Sequence, residues 1–255
     1  MRPRLERRVA FPCAVVLVAI SSSPVALAGQ RVDDHWKQSP QISWTVSVAS
    51  LRIPEKARRH YDKAIAAAER NHSEEVENEA LKAIAIAPNF ADAYLLRARQ
   101  QVRNHNYEAA IASAEAAQRA EPGVIGATFV LAGAYNGLQR YRDARHALEA
   151  ALGPEVETWQ VKYEQARASI GLNDVEAALY WSALALAADR QNFADIHLVR
   201  SNALLLARRW SEAAVQMELY LQSEQPQAHR TEVLAILERT KQRIRDEGTA
   251  SVAAR

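Results

Sequence analysis

The chain is nearly without cysteine: one thiol, Cys13, in 255 residues. It lies inside an apolar run near the N-terminus, behind Phe11-Pro12 rather than in the small-residue context of a lipid-attachment signal. With no second thiol, an internal disulfide and a thiolate metal cluster are excluded. Glycine is scarce too, at eight residues, and none falls in G-x-S-x-G, G-x-x-x-x-G-K-[ST] or G-x-G-x-x-G, so no nucleophile elbow and no phosphate-cradling loop is written. The seven histidines (His35, His60, His72, His105, His146, His197 and His229) never stand at H-x-H or H-x-x-x-H spacing, which leaves no local metal clamp. The formal charge is only +2, with basic and acidic residues interleaved, so there is no stripe to neutralise phosphates. No cofactor, no metal and no nucleic acid is expected, and no catalytic constellation stands out.

What is present begins with four arginines, Arg2, Arg4, Arg7 and Arg8, ahead of the apolar run Ala10 to Ile20. Ala26-Leu27-Ala28 then supplies a small-x-small cleavage pattern, so 1–28 has the form of a secretory signal peptide cut after Ala28. The alternative, a retained anchor, needs about 20 apolar residues, more than the run holds. Arg7-Arg8 also matches a twin-arginine pair, a weak signal in an arginine-rich start. A mature chain without thiols suits an oxidising compartment, so a periplasmic or secreted location is expected, with no membrane span after cleavage.

Beyond residue 50 alanine dominates, with a regular spacing. Between Asn106 and Pro122, Ala110, Ala114 and Ala117 share one helical face by the i, i+4, i+7 rule, and a face that small admits a second helix at close range. Taking Ala91 as position 1 puts Tyr94 at 4, Ala98 at 8, Tyr107 at 17, Ala110 at 20, Ala114 at 24, Ala117 at 27 and Pro122 at 32 of a 34-residue frame. The frame recurs from Ala57 (Ala64, Val76, Ala80, Ala83, Pro88), from Ile125 (Leu131, Ala132, Tyr135, Tyr141, Ala144, Leu148), from Trp159 (Ala166, Ala178, Ala185) and, degenerately, from Ala194 (Trp210, Ala213). This pattern resembles the tetratricopeptide repeat. The resemblance implies an all-α, right-handed solenoid of about five helical hairpins, each burying its open face on the next, over 51–226. Ala110, Ala114 and Ala117 are then expected to pack on Ala98 of their own hairpin and near Ala132 of the next.

The flanks differ in kind. In 42–48, Ile42, Trp44, Val46 and Val48 alternate with Ser43, Thr45 and Ser47, a period of two that reads as a short strand within an extended segment, 29–50. It can lie on the helices, pair with another chain or stay extended. Ile53-Pro54 then opens the first helix. At the other end Val233, Leu234, Leu237 and Ile244 recur at helical spacing, so 227–246 reads as a capping helix and 247–255 as a flexible tail. Gly153-Pro154 should cut one second helix short, and Trp159, Trp181 and Trp210 should pack inside repeats. The acidic group Glu74, Glu75, Glu77 and Glu79 reads as a helix start favoured by the macrodipole, and less well as a cation site.

The functional expectation follows from the resemblance. Stacked repeats form a concave groove lined by the first helix of each pair, and the family's groove positions fall here on Tyr61, Asp62, Arg99, Arg103, Phe129, Asn136, Tyr163, Arg167 and Asn202. Aromatics and arginines are the residue types that anchor interfaces, although an ordinary wet surface would also carry them. The expectation is a non-catalytic scaffold or adaptor of the bacterial cell envelope. It would bind a protein or peptide, with Arg99, Arg103 and Arg167 orienting an acidic or carboxylate-bearing segment. The rival expectation is a self-associating scaffold of envelope or secretion machinery, a homo-oligomer built through 42–48 or the last repeat. The subfamily that clamps a C-terminal carboxylate through lysine and asparagine is not matched, since position 9 is Ile65, Arg99, Gly133 and Arg167 before Asn202 appears.

Overall fold

A computed structural model describes residues 53–150, 158–189, 193–223 and 229–253. The expected signal peptide over 1–28, Cys13, Trp36, the alternating segment 42–48 and Gly153-Pro154 lie outside the described residues. Eleven helices and no strand occur among those residues. They pair as α1 (Glu55–Glu69) with α2 (Ser73–Ile86), α3 (Ala91–Arg103) with α4 (Tyr107–Ala120), and α5 (Ile125–Gly137) with α6 (Tyr141–Ala150). Two more hairpins follow, α7 (Trp159–Gly171) with α8 (Val175–Ala188) and α9 (Ala194–Leu206) with α10 (Trp210–Gln222), and α11 (Arg230–Ala253) closes the stack.

The hairpin turns carry the repeat in the backbone itself. Left-handed residues stand at Asn71, His105, Gln139, Asn173 and Arg208, at intervals of 34, 34, 34 and 35 residues. In each turn the next N–H reaches back six residues inclusive, from His72 to the Ala67 carbonyl at 2.9 Å, from Asn106 to Gln101 at 2.8 Å and from Arg140 to Tyr135 at 2.8 Å. This is a Schellman closure, which satisfies carbonyls that the helix end would otherwise orphan. Prolines punctuate the other connections: α2 and α4 stop just short of Pro88 and Pro122, and Pro54 precedes α1 as its sequence position requires.

Alanine makes the layers close. Ala98, Ala110, Ala114 and Ala117 are fully buried in one cluster with Ala127, Leu131 and Ala134 of α5. Near Ala132, the α5 residues clustered with the α4 alanines are Leu131 and Ala134 on either side of it, while Ala132 itself clusters with Leu148 of α6 and Val161 of α7. Position 8 faces its own hairpin partner, so the contact with the preceding repeat falls to the residues on either side of it.

The last helix also departs from expectation, because it runs through the presumed tail to Ala253. Trp210 Nε1 donates to Glu247 at 3.1 Å, and the Arg243 guanidinium lies 4.7 Å from the Trp210 ring centre. These contacts and the i, i+4 pair of Arg243 with Glu247 hold the extra turns onto the fifth hairpin. None of the described helices is long and apolar enough to cross a membrane.

Candidate partner-binding groove

Each first helix touches the next: α1 meets α3, α3 meets α5, α5 meets α7 and α7 meets α9. The second helices pack on their own first helix and on the one that follows, so the first helices together line a continuous face. The nine groove residues divide along it into two sets.

In the N-terminal half they are accessible. Tyr61 is half-buried, its ring 4.9 Å from Phe90, and burial together with Asp92 pushes its hydroxyl up to about 12. Asp62 is exposed, and Arg103 donates to the Asn71 side chain at 2.6 Å. Arg99 is half-buried, and the loss of water around it holds its guanidinium down to about 10, against the pull of Tyr61 and Asp92. Its Nη2 sits only 3.2 Å from where a Cβ on Gly126 would stand, so α5 leaves the room it occupies. Phe129 is half-buried beside it in the series.

In the C-terminal half they lie inside the protein. Arg167 and Glu164 have side chains only 4% and 2% exposed, and Arg167 Nη1 donates to the two Glu164 oxygens at 3.0 and 2.9 Å. Asn136 adds its amide to the same carboxylate at 2.7 Å and to the Glu164 carbonyl at 3.1 Å. Burial lowers the pull on Arg167's proton, yet Glu164 and Tyr163 outweigh it, so the guanidinium is held charged. Tyr163 stacks edge-on against Trp159 and Phe193, with centroids 6.2 and 5.9 Å away, and burial drives its hydroxyl far above the ordinary range. Asn202 turns its amide to the Leu198 carbonyl of its own helix at 2.9 Å. Thus the structure brings Asn136, Tyr163 and Arg167 together, but beneath the face, with the charge of Arg167 already met.

Two participants escape a reading by residue type. Glu164 is the counter-ion of Arg167, and its signal was the i, i+3 spacing of the two on one helix. Gly133 lies under that carboxylate, where a Cβ would stand 3.6 Å from Glu164 Oε1. The acidic residues of α2 are absorbed by partners: Arg97 Nε of α3 donates to Glu77 at 2.6 Å, and within the first hairpin Glu79 lies 2.7 Å from His60 Nδ1. Among the described residues no group of acidic, histidine or cysteine side chains is placed to hold a metal ion.

Helical hairpins repeating every 34 residues, with first helices lining one face, define a tetratricopeptide-type solenoid. No protein-family model matches the chain, and no curated protein does. Solved structures do. A structure of MamA from Desulfovibrio magneticus RS-1, residue 41 to the end, is 15% identical, with 74% of this chain and 98% of that one covered, at a TM-score of 0.54. An RS-1 MamA double mutant matches at 14% identity over 67% of this chain and 95% of the other, with a TM-score of 0.56. The hetero-tetramer Cut9-Hcn1 of the APC/C matches at 15% identity with a TM-score of 0.61, over 82% of this chain and 38% of the larger one. At these identities the likeness is one of fold.

Proposed function

We propose that this chain is an exported, non-catalytic scaffold of the bacterial envelope that holds a segment of another protein in its concave groove. The observation that carries the reading is the accessible half of the groove. There Tyr61, Asp62, Arg103 and Phe129 stand in the open series around Arg99, a cation kept in a partly dry setting beside Asp92 and Tyr61. A guanidinium so placed favours a carboxylate on the incoming segment, because it has already shed part of its own hydration and its attraction is less screened than in water. Phe129 and Tyr61 supply apolar area for a neighbouring side chain. Arg167 has no part in this contact, since Glu164 already neutralises it.

The test is capture from envelope extract by the natural chain beside an Arg103→Glu, Phe129→Ala variant whose helicity and melting point are first shown to be unchanged. A protein bound by the first and lost by the second supports the groove. A protein bound equally by both removes it.

A second reading, self-association, is favoured by apolar side chains on the opposite face. Val215 and Leu219, one turn apart on α10, are 51% and 39% exposed, and Tyr180 on α8 is 58% exposed. Light scattering on a Val215→Lys, Leu219→Lys variant separates the readings, because loss of an oligomer would favour the scaffold.

A further inference from the structure

We propose that the side formed by the second helices carries a site of its own, a cleft between α4 and α6 that takes an arginine side chain from a segment of another protein. The cleft shares no residue with the groove.

The repeat itself shows what fills such a place. Position 7 of a first helix reaches toward the second helix of the preceding hairpin. In the second repeat this residue is Arg97, whose Nε donates to Glu77 on α2 at 2.6 Å and whose Nη1 donates to Ser113 on α4 at 3.4 Å. In the fifth it is Arg200, whose Nη1 donates to the Leu179 carbonyl and the Ser182 hydroxyl of α8 at 2.7 and 3.0 Å. The fourth repeat has Gln165 at this position. The third has Leu131, which packs on the α4 alanines. Where an arginine would stand between α4 and α6, the chain leaves a cleft of about 610 Å³.

The lining suits a long apolar stem with a cationic end. The floor is one stripe of α5, Ile125, Thr128, Leu131 and Tyr135, and the α6 wall is kept low by Ala147 and Ala150. At the end near Gly123 a Cβ would meet nothing within 4 Å, so the mouth is open there. The walls carry two carboxylates. Asp143 is matched by Arg140, which donates to it at 2.7 Å and lies 4.7 Å from the Tyr135 ring centre. Glu115 is held more loosely: Arg119, one turn along α4, comes to 3.9 Å with both side chains in water, a pair worth little. Glu115 thus stands on the helix before Leu131 as Glu77 stands on the helix before Arg97. Burial and then Glu115 push the Tyr135 hydroxyl above its ordinary value, so this carboxylate acts on the cleft. A guanidinium entering over Leu131 pairs with Glu115 and lays its methylenes on Ile125 and Leu131, which buries carbon and meets charge together. An incoming carboxylate would face Glu115 and an arginine already paired.

The probe is a blocked pentapeptide with one arginine flanked by leucines, beside the same peptide carrying citrulline, which keeps the shape and lacks the charge. Each is titrated at physiological salt into the isotope-labelled full chain and followed by heteronuclear NMR. The proposal expects saturable shifts centred on Glu115, Thr128 and His146 with the arginine peptide, and about tenfold weaker binding of the citrulline peptide, the scale of one charge-assisted bond. Glu115→Gln, at an exposed position, should weaken the arginine peptide by a similar factor, and Ala147→Leu, which fills the cleft, should weaken both peptides. The groove variant Arg103→Glu, Phe129→Ala should bind the arginine peptide as the natural chain does. Equal binding of the two peptides, shifts confined to the concave face, no saturable shift, or natural affinity in Glu115→Gln would overturn the proposal. The readout does not involve the groove, so its failure leaves the groove reading standing, and failed capture of a partner leaves this result intact.

Discussion

The ring of Tyr107 covers Gly137 so closely that a Cβ there would stand 2.5 Å from the ring's Cζ. Tyr141 covers Gly171 in the same way one repeat later, at 2.4 Å from its nearest ring carbons. In both cases an aromatic at position 17 locks onto a glycine at position 13 of the next repeat, so the pair sets how closely successive hairpins stack. Gly137→Ala and Gly171→Ala should each destabilise by about 1–3 kcal/mol, the usual cost of overpacking a filled site. Gly248→Ala is the control: nothing lies within 4 Å of its Cβ on α11, and alanine there should gain a few tenths to about 1 kcal/mol from helix propensity. Urea unfolding of the three variants checks the order.

The left-handed turn residues give a prediction of opposite sign. Gln139 and Arg208 hold φ near +60° (60° and 58°) without being glycine or asparagine. Side chains there cost roughly 1–2 kcal/mol of steric strain. Gln139→Gly and Arg208→Gly should therefore stabilise by about 0.5 kcal/mol each once glycine's extra unfolded entropy is deducted, raising the melting point by about 1–2 °C. Asn71→Gly and Asn173→Gly should gain less, since asparagine tolerates this region.

The fold was legible because its signal is a period. Ala98, Ala110, Ala114 and Ala117 sit where only a small side chain lets helices approach, and the spacing of such residues survives even where single positions drift, as in the fifth repeat. The groove was legible only in part. Position in the frame says that Arg167 lies on a first helix's groove side, but not that Glu164 three residues earlier and Asn136 on the neighbouring helix draw it inward. That outcome depends on Gly133 leaving room under α7, a three-dimensional fact with no local mark. The length of α11 was missed for a similar reason: what holds its last turns is Trp210, thirty-seven residues away from Glu247.

Acid should loosen the first hairpin before the others. Hydrogen bonds from His60 and then Lys82 hold the Glu79 carboxyl down to about 2, against an ordinary 4.5. A carboxylate whose pKa falls on folding adds stability that is fully present above the unfolded value and is lost as pH drops through the folded one. The window here is about pH 4.5 down to 2. Glu79→Gln should lower the urea midpoint at pH 7 and flatten its decline across that window, with the natural chain losing the difference by pH 2.

The buried pair under the groove decides what Arg167 is for. Removing one partner leaves an unmet charge among buried groups, so Glu164→Gln and Arg167→Met should each cost about 3–5 kcal/mol. Replacing both, as Glu164→Leu with Arg167→Met, removes the charges together and should cost far less than the two singles added, because buried pairs barely offset their own desolvation. A double-mutant cycle from urea unfolding measures that coupling. The double variant then separates structure from recognition. If it folds stably and still captures the partner held by the natural chain, Arg167 supports the stack of α5 on α7 and nothing else. If it folds stably and loses the partner, the guanidinium reaches the ligand after all, through a groove that opens further than the resting arrangement, and the site extends into the fourth repeat.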